Sequence, residues 1–306
     1  MTVTTAVFRR PDSLDLRIIH LLARDPRVPF QEIADQFGVC RTTVRLRVRR
    51  LLKTGFLAFT VLTHPCTAGT PVSAELRIET SRPEEEVAAV LGARPHLRTG
   101  RAGEAVTVSA WCRDDEDLIA LADQLRAWPH IYSVEVFRAV HLLHDRLPAP
   151  AQPGLPLDKS DHLLLDVLAR EPRAPYTWLG AKTGLSPSAA RQRLLRLRQA
   201  GLVHLKTDLH LPGLEVQACR VEMTLHAPAL TAAHHLKHLP GLTYLAVGHG
   251  RYHVLADLAT TPDRQHDLDQ QIRAVPGIEN LRVWRRTPTL HDALALLPLL
   301  PLDDVT

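Results

Sequence analysis

No run of eighteen or more apolar residues occurs in this 306-residue chain, so no segment supplies the roughly 20 apolar residues of a membrane-crossing helix. Met1 to Arg10 hold no apolar stretch followed by a cleavage site, so no secretory leader is expected. Cysteine is scarce. Cys40, Cys66, Cys112 and Cys219 stand far apart without paired spacing, which argues against a disulfide framework or a zinc ligand set and fits a reducing, cytoplasmic compartment. Lysine is rare as well, confined to positions 53, 159, 182, 206 and 237, so the net charge of +4 rests on arginine. Arginine is the cation suited to bidentate recognition of phosphate and guanine.

What the chain does contain is a repeat. Asp15 to Gly55 aligns without a gap on Asp161 to Gly201. Leu22-Ala23-Arg24-Asp25-Pro26-Arg27-Val28-Pro29-Phe30 answers Leu168-Ala169-Arg170-Glu171-Pro172-Arg173-Ala174-Pro175-Tyr176. Gly38, Arg45, Arg47, Arg50, Leu51 and Gly55 answer Gly184, Arg191, Arg193, Arg196, Leu197 and Gly201. The match weakens but continues, with Trp128-Pro129 set against Val275-Pro276. Between the copies, Asp145 to Pro156 carries four prolines, which exclude a helix and predict an extended spacer reaching roughly 30–40 Å at about 3.1 Å per residue.

Each copy opens on three short helical patterns. In the first, Leu14, Ile18, Ile19, Leu21 and Leu22 recur at helical spacing from about Asp12 to Arg24. Phe30, Ile33, Ala34 and Phe37 form a second helix, and Gly38 permits the turn into a third over Arg41 to Lys53. Phe56 to Leu62 alternates as a short strand or wing. Three helices with a glycine turn before the third make a helix-turn-helix, whose third helix reads the major groove of DNA. That helix holds Arg41, Arg45, Arg47, Arg49, Arg50 and Lys53 and no acid. In the second copy the third helix starts at Ser186-Pro187, an N-cap followed by proline at the first helical position. It carries Arg191, Arg193, Arg196 and Arg198, while Ser188, Ala189 and Ala190 replace Thr42, Thr43 and Val44. Two different reading surfaces call for an imperfect palindrome. The residues expected to meet DNA are Arg41, Thr42, Thr43, Arg45, Arg49, Arg50 and Lys53 in the first copy. In the second they are Ser186, Ser188, Arg191 and Gln192.

A strand, helix, strand, strand, helix, strand pattern follows each helix-turn-helix, the ferredoxin-like order. In the first copy it runs over 72–78, 83–91, 96–99, 105–111, 115–128 and 131–140; in the second over 218–225, 228–238, 242–247, 252–259, 262–275 and 278–285.

Asp15…Ile18-Ile19…Leu22, Asp161…Leu164-Leu165…Leu168, Gly184-Leu185-Ser186-Pro187…Arg193…Leu197…Gly201 and Val275-Pro276-Gly277-Ile278 together resemble the leucine-responsive/asparagine-synthesis (Lrp/AsnC) regulators, twice over. The resemblance implies an α+β fold: two winged helix-turn-helix domains, each followed by a ferredoxin-like domain, in tandem. The boundaries expected are 12–62 and 158–210 for the DNA-binding domains, 70–145 and 214–298 for the ferredoxin-like domains, and 146–157 for the linker. Because the family normally carries one unit per chain and dimerises through its sheets, the chain is expected to be a covalent pseudo-dimer that self-associates further. Double-stranded DNA is the implied partner. A small effector such as an amino acid is expected around Gly100, Arg101, Gly103 and Glu104 and around Gly248, His249, Gly250 and Tyr252. Two departures stand out: Cys40-Arg41 occupies the place of a serine and a small residue, and the glycine loop lacks the family's aspartate.

No Ser-His-Asp triad, P-loop or dinucleotide fingerprint is visible, and the clusters His141…His144, His234-His235…His238 and His249…His253 lack firm ligand spacing. The chain is therefore expected to be a regulator and not an enzyme, without metal or cofactor. The alternative is a siroheme-decarboxylase-like tetrapyrrole enzyme, a family that shares this architecture. Its His-x-Tyr-Arg stretch is absent from the first sheet, where Ala105-Val106-Thr107-Val108-Ser109-Ala110-Trp111 stands instead.

Overall fold

The computed structural model describes residues 11–91, 97–145, 147, 150–209, 216–286 and 291–292. The first unit opens with α1 (Ser13–Arg24), α2 (Phe30–Phe37) and α3 (Arg41–Lys53). The second opens with α6 (Lys159–Arg170), α7 (Tyr176–Thr183) and α8 (Pro187–Gln199). Both entrance helices start with a capping box. Asp12 accepts from the Asp15 N–H while Asp15 reaches back to the Asp12 N–H, and Asp158 and Asp161 repeat the exchange. Gly38 and Gly184 adopt φ of 63° and 71° at the ends of α2 and α7, a left-handed conformation that favours glycine at this turn.

The strands after the helices join the halves. β1 (Leu57–Thr63) pairs antiparallel with β6 (Val203–Leu209), Thr60 opposite Lys206. Each three-helix core is thereby closed by both halves. Leu209 is buried with Ile18, Leu22, Val44 and Leu51, and Val61 packs on Leu164, Leu194 and Leu197. The Thr207 hydroxyl donates to the Leu22 carbonyl at 2.6 Å.

The first ferredoxin-like part consists of β2 (Val72–Thr80), α4 (Glu84–Leu91), β3 (Leu97–Ala102), β4 (Ala105–Cys112), α5 (Asp115–Arg126) and β5 (Ile131–His144). The second consists of β7 (Gln217–Leu225), α9 (Ala229–Leu236), β8 (Leu242–His249), β9 (Val254–Thr260), α10 (Gln265–Arg273) and β10 (Ile278–Arg286). Their strands close into one barrel in the order β10-β3-β4-β2-β5-β8-β9-β7. The seams between halves are β5 against β8 and β10 against β3. Closure removes the unpaired edges that each four-stranded sheet would otherwise expose. β5 extends to His144, beyond the expected end at 140, because its last residues pair with β8 of the other half.

Alternate residues of β2 and β7 point outward to the helices. Val72, Ala74, Leu76 and Ile78 pack with Leu121 and Leu125, and Val221 and Met223 with Leu236 and Ile272. The inward positions are partly charged. Arg220, 2% exposed, forms two bonds to Asp257 at 2.8 and 2.9 Å and an ion pair with Glu75 across the halves at 2.8 Å. Arg77 stacks on Trp284 of the other half at 4.0 Å. β2 therefore carries Glu75 and Arg77 inward, where β7 carries Arg220 and Glu222.

The segment expected to be an extended spacer also packs against the second unit. Residues 146, 148 and 149 and domain-boundary positions 210, 214 and 298 lie outside the described residues. Among the rest, Gln152 N–H donates to the Ala200 carbonyl, Pro150 passes against Gly201, and Leu155 and Leu157 pack on the second helix-turn-helix core. Proline prevents a helix, but the leucines between the prolines have apolar surface to bury.

Candidate nucleic-acid interface

The third helix of each unit is held from behind by carboxylates of the first. In the first unit Arg47 Nη1 donates to Asp12 at 2.6 Å and to Asp15 at 3.0 Å, and Arg50 pairs with Asp15, which is fully buried. In the second, Arg193 meets Asp158 at 2.6 Å and Asp161 at 3.0 Å, and Arg196 meets Asp161 at 2.5 Å. Burial alone would raise the Asp12 carboxyl, but Arg47 and the Asp15 N–H hold it below its ordinary value. Arg193 and the Asp161 N–H lower Asp158. Arg50 therefore sits with Arg47 in the carboxylate clamp and not in the outer row of α3.

That outer row is Arg41, Arg45, Arg49 and Lys53, four residues apart and all exposed. A spacing of four places them along one helix face. Among the described residues none of the four enters an ion pair. Thr42 is exposed beside them, and half-buried Thr43 meets the Cys40 Sγ at 3.0 Å. Cys40 makes no side-chain bond to the helix N–H groups, whereas Ser186 accepts from the Ala189 N–H at 3.1 Å. On α8 the expected residues Ser188, Arg191 and Gln192 are exposed, and Arg198 adds a further cation.

A second feature was not read from the sequence. Arg27 donates to the carbonyls of Pro172 and Ala174 at 2.9 and 2.8 Å and lies over Tyr176 at 4.7 Å. Arg173 donates to the Val28 carbonyl at 3.0 Å and lies over Phe30 at 4.5 Å. These reciprocal contacts fix the two helix-turn-helix lobes against each other and so set the placement of α3 relative to α8. The only signal was the repeated arginine, residue, proline, aromatic run, whose partners lie some 145 residues away.

The two glycine loops do not meet. Gly100 and Arg101 lie on β3 and Gly248 and His249 on β8, strands four places apart in the eight-stranded ring. Gly103 N–H donates to the Arg285 carbonyl, and Glu104 is exposed. A side chain at Gly248 would strike the Arg138 carbonyl at 2.1 Å, and one at Gly250 the Val136 carbonyl at 2.3 Å. Buried Tyr252 stacks on Phe137 at 4.8 Å. Gly248, Gly250 and Tyr252 thus let β5 and β8 approach, and His249 stays exposed.

The AsnC-type helix-turn-helix family model matches residues 12–52 and 157–198. The chain is 33% identical over 113 residues to the transcriptional regulator LrpA of Pyrococcus horikoshii, covering 35% of this chain and 79% of that protein. It is 26% identical over 136 residues to the regulator LysM of Saccharolobus solfataricus, covering 42% of this chain and 96% of that one. A helix-turn-helix regulator of Pyrococcus furiosus is 39% identical over 69 residues, 22% of this chain, and the chain spans about half (47%) of that relative. The siroheme decarboxylase NirDL, in complex with an iron-uroporphyrin III analogue, superposes with a TM-score of 0.61 over 94% of this chain and 97% of that one at 15% identity, a likeness of fold. The class is thus a tandem helix-turn-helix protein with ferredoxin-like domains. The chain belongs to the Lrp/AsnC family of transcriptional regulators. No helix among the described residues is long and apolar enough to cross a membrane.

Proposed function

We propose that the chain binds double-stranded DNA sequence-specifically and controls transcription, using its two different third helices as a fused pair of half-site readers. The observation that carries this reading is the exposed row Arg41, Arg45, Arg49 and Lys53 on α3, backed by a clamp that absorbs Arg47 and Arg50. Basic side chains facing solvent on the third helix of this motif have phosphate and base edges as their natural acceptors. Thr42 and Arg45, with Ser188, Arg191 and Gln192, are the base-contacting candidates; Arg49 and Lys53 serve the backbone. Chains associate further through the outer faces of the ferredoxin-like domains. An amino-acid effector would use one of the two loops, Gly100 to Glu104 or the exposed His249, at separate seams.

The test is a gel-shift and salt titration of the purified chain on its own upstream DNA against a scrambled duplex. Preferential, steeply salt-dependent binding is expected. Arg45→Ala should lower discrimination by about 1–3 kcal/mol at one base position, and unchanged preference would remove α3 from base reading.

One observation favours a second reading as a tetrapyrrole-binding enzyme: the charged barrel interior, where Glu222, Arg77, Tyr244 and Trp284 each keep a buried polar atom without a hydrogen-bond partner. Titration with iron-uroporphyrin III decides it. A shifted Soret band, together with no DNA binding at low salt, would replace the regulator reading.

A further inference from the structure

A groove of about 970 Å³ lies between the two helix-turn-helix lobes. Its apolar walls include Phe30, Val48, Leu52 and Phe59 of the first lobe and Pro172 and Pro175 of the second. Apolar walls interrupted by a few charged groups are the usual make-up of a small-molecule site of this size. The charged groups are Arg41, Arg173 and Glu171, two guanidiniums against one exposed carboxylate, so the lining is net positive.

Arg173 is the informative member. Its guanidinium lies over the rings of Phe30 and Phe59, at 4.5 and 5.0 Å. Nη2 donates to the Val28 carbonyl, but Nη1 is buried and finds no acceptor in the fold. A buried N–H of a cation without an acceptor is costly, and an anion is the group that satisfies it. Its counterpart Arg27 has both Nη atoms on carbonyls. Duplication did not produce this chemistry twice, either. Arg41, Leu52 and Phe59 correspond, 146 residues on, to Pro187, Arg198 and Leu205. The arginine at the helix start and the second ring, Phe59, exist in one copy alone.

We propose that this groove binds a small organic carboxylate with an aromatic or branched apolar body. Its carboxylate pairs with Arg41 and, once the Arg173 guanidinium turns its buried Nη1 toward the groove, with that atom, and its body lies against Phe30, Phe59 and Leu52. Because Arg41 also heads the exposed row of α3, an occupied groove withdraws it from DNA. This regulatory consequence rests on the DNA-binding reading; the binding itself does not.

The probe is 2-naphthoate, titrated into the full chain without DNA and followed by ligand fluorescence, with 2-naphthalenemethanol as the uncharged counterpart. The acid is expected to bind at least tenfold more tightly than the alcohol. Arg173→Met should bring the acid down to the alcohol's affinity. Should that variant fail to fold, Arg41→Ala, at an exposed position, should weaken the acid at least threefold. Leu52→Trp, which fills the groove from its half-exposed site, should abolish binding while the thermal transition is kept. Equal affinity for acid and alcohol, no binding of either at millimolar concentration, or full binding by Leu52→Trp would overturn the proposal. In a gel shift, 2-naphthoate should raise the apparent Kd for DNA in the parent chain and leave Leu52→Trp unaffected. Naphthoate binding by a chain that retains no duplex would uphold the site and remove the DNA reading instead.

Discussion

The two third helices began as copies and diverged in an orderly way. Facing the protein they are the same: Arg47 and Arg50 on α3, Arg193 and Arg196 on α8, each pair closing on two aspartates with matching distances. Facing outward they differ, with Arg49 answered by Leu195, Lys53 by Gln199 and Leu46 by Gln192. A buried carboxylate cannot lose its cation without penalty, so the inner face tolerates little. A solvent-facing position carries no such cost, so the outer face is where two readers can become different. The barrel shows the same principle in another form. Identical halves would set Glu75 against its own copy, whereas here the corresponding position is Arg220 and the two form a buried pair.

The largest test of this comparison is Arg220→Met. It leaves Glu75 and Asp257 buried without their cation, and about 3–5 kcal/mol of stability should be lost in urea unfolding. A loss under about 1 kcal/mol would mean that the halves are held by their apolar seams alone. Next come Asp15→Ala and Asp161→Ala, each expected to cost about 3 kcal/mol by removing a buried acceptor shared by two arginines. The two losses should match, and strongly unequal values would show that the clamps only look alike.

Third is an acid sensitivity seated where the halves cross. His64 is buried, edge-on to Trp111 at 5.4 Å, its Nδ1 accepting from the Cys66 N–H. Burial, with His204 nearby, pushes its pKa down to about 4. The folded imidazole therefore refuses a proton that the unfolded chain accepts below its ordinary value. Stability is unaffected above pH 6.5 and falls as pH drops from 6.5 to about 4, by on the order of 3 kcal/mol. His64→Gln should flatten that part of the profile. The smallest effect is a gain: Leu195→Arg with Gln199→Lys adds to Arg191 the two cations that α8 lacks opposite Arg49 and Lys53 of α3. The salt dependence of DNA binding should steepen by about two phosphate contacts, roughly 1.8 in slope. An unchanged slope would place α8 away from the backbone.

Much of this was legible in residue order. The periodicity of Ile18, Ile19 and Leu22, the turn at Gly38 and the basic run from Arg41 to Lys53 specify α1 to α3 to within a residue or so. Which cations stay free was not legible. Arg45 and Arg50 look alike in a string of letters, and only the approach of Asp15 from another helix separates them. The packing role of the second glycine loop was not legible either: the lack of a side chain at Gly248 and Gly250 serves the close passage of β5 from the other half.

By itself, then, the sequence determined the local elements and their duplication, because helix period, capping and turn chemistry act over a few residues and can be read from neighbours. The tertiary structure alone decided the exchange of β1 and β6 between cores, the barrel seams, the pairing of Glu75 with Arg220 and the groove under Arg173. Each of these brings together residues more than 100 positions apart, and contacts at that separation are selected by burial and charge in the folded chain, to which local propensity is blind.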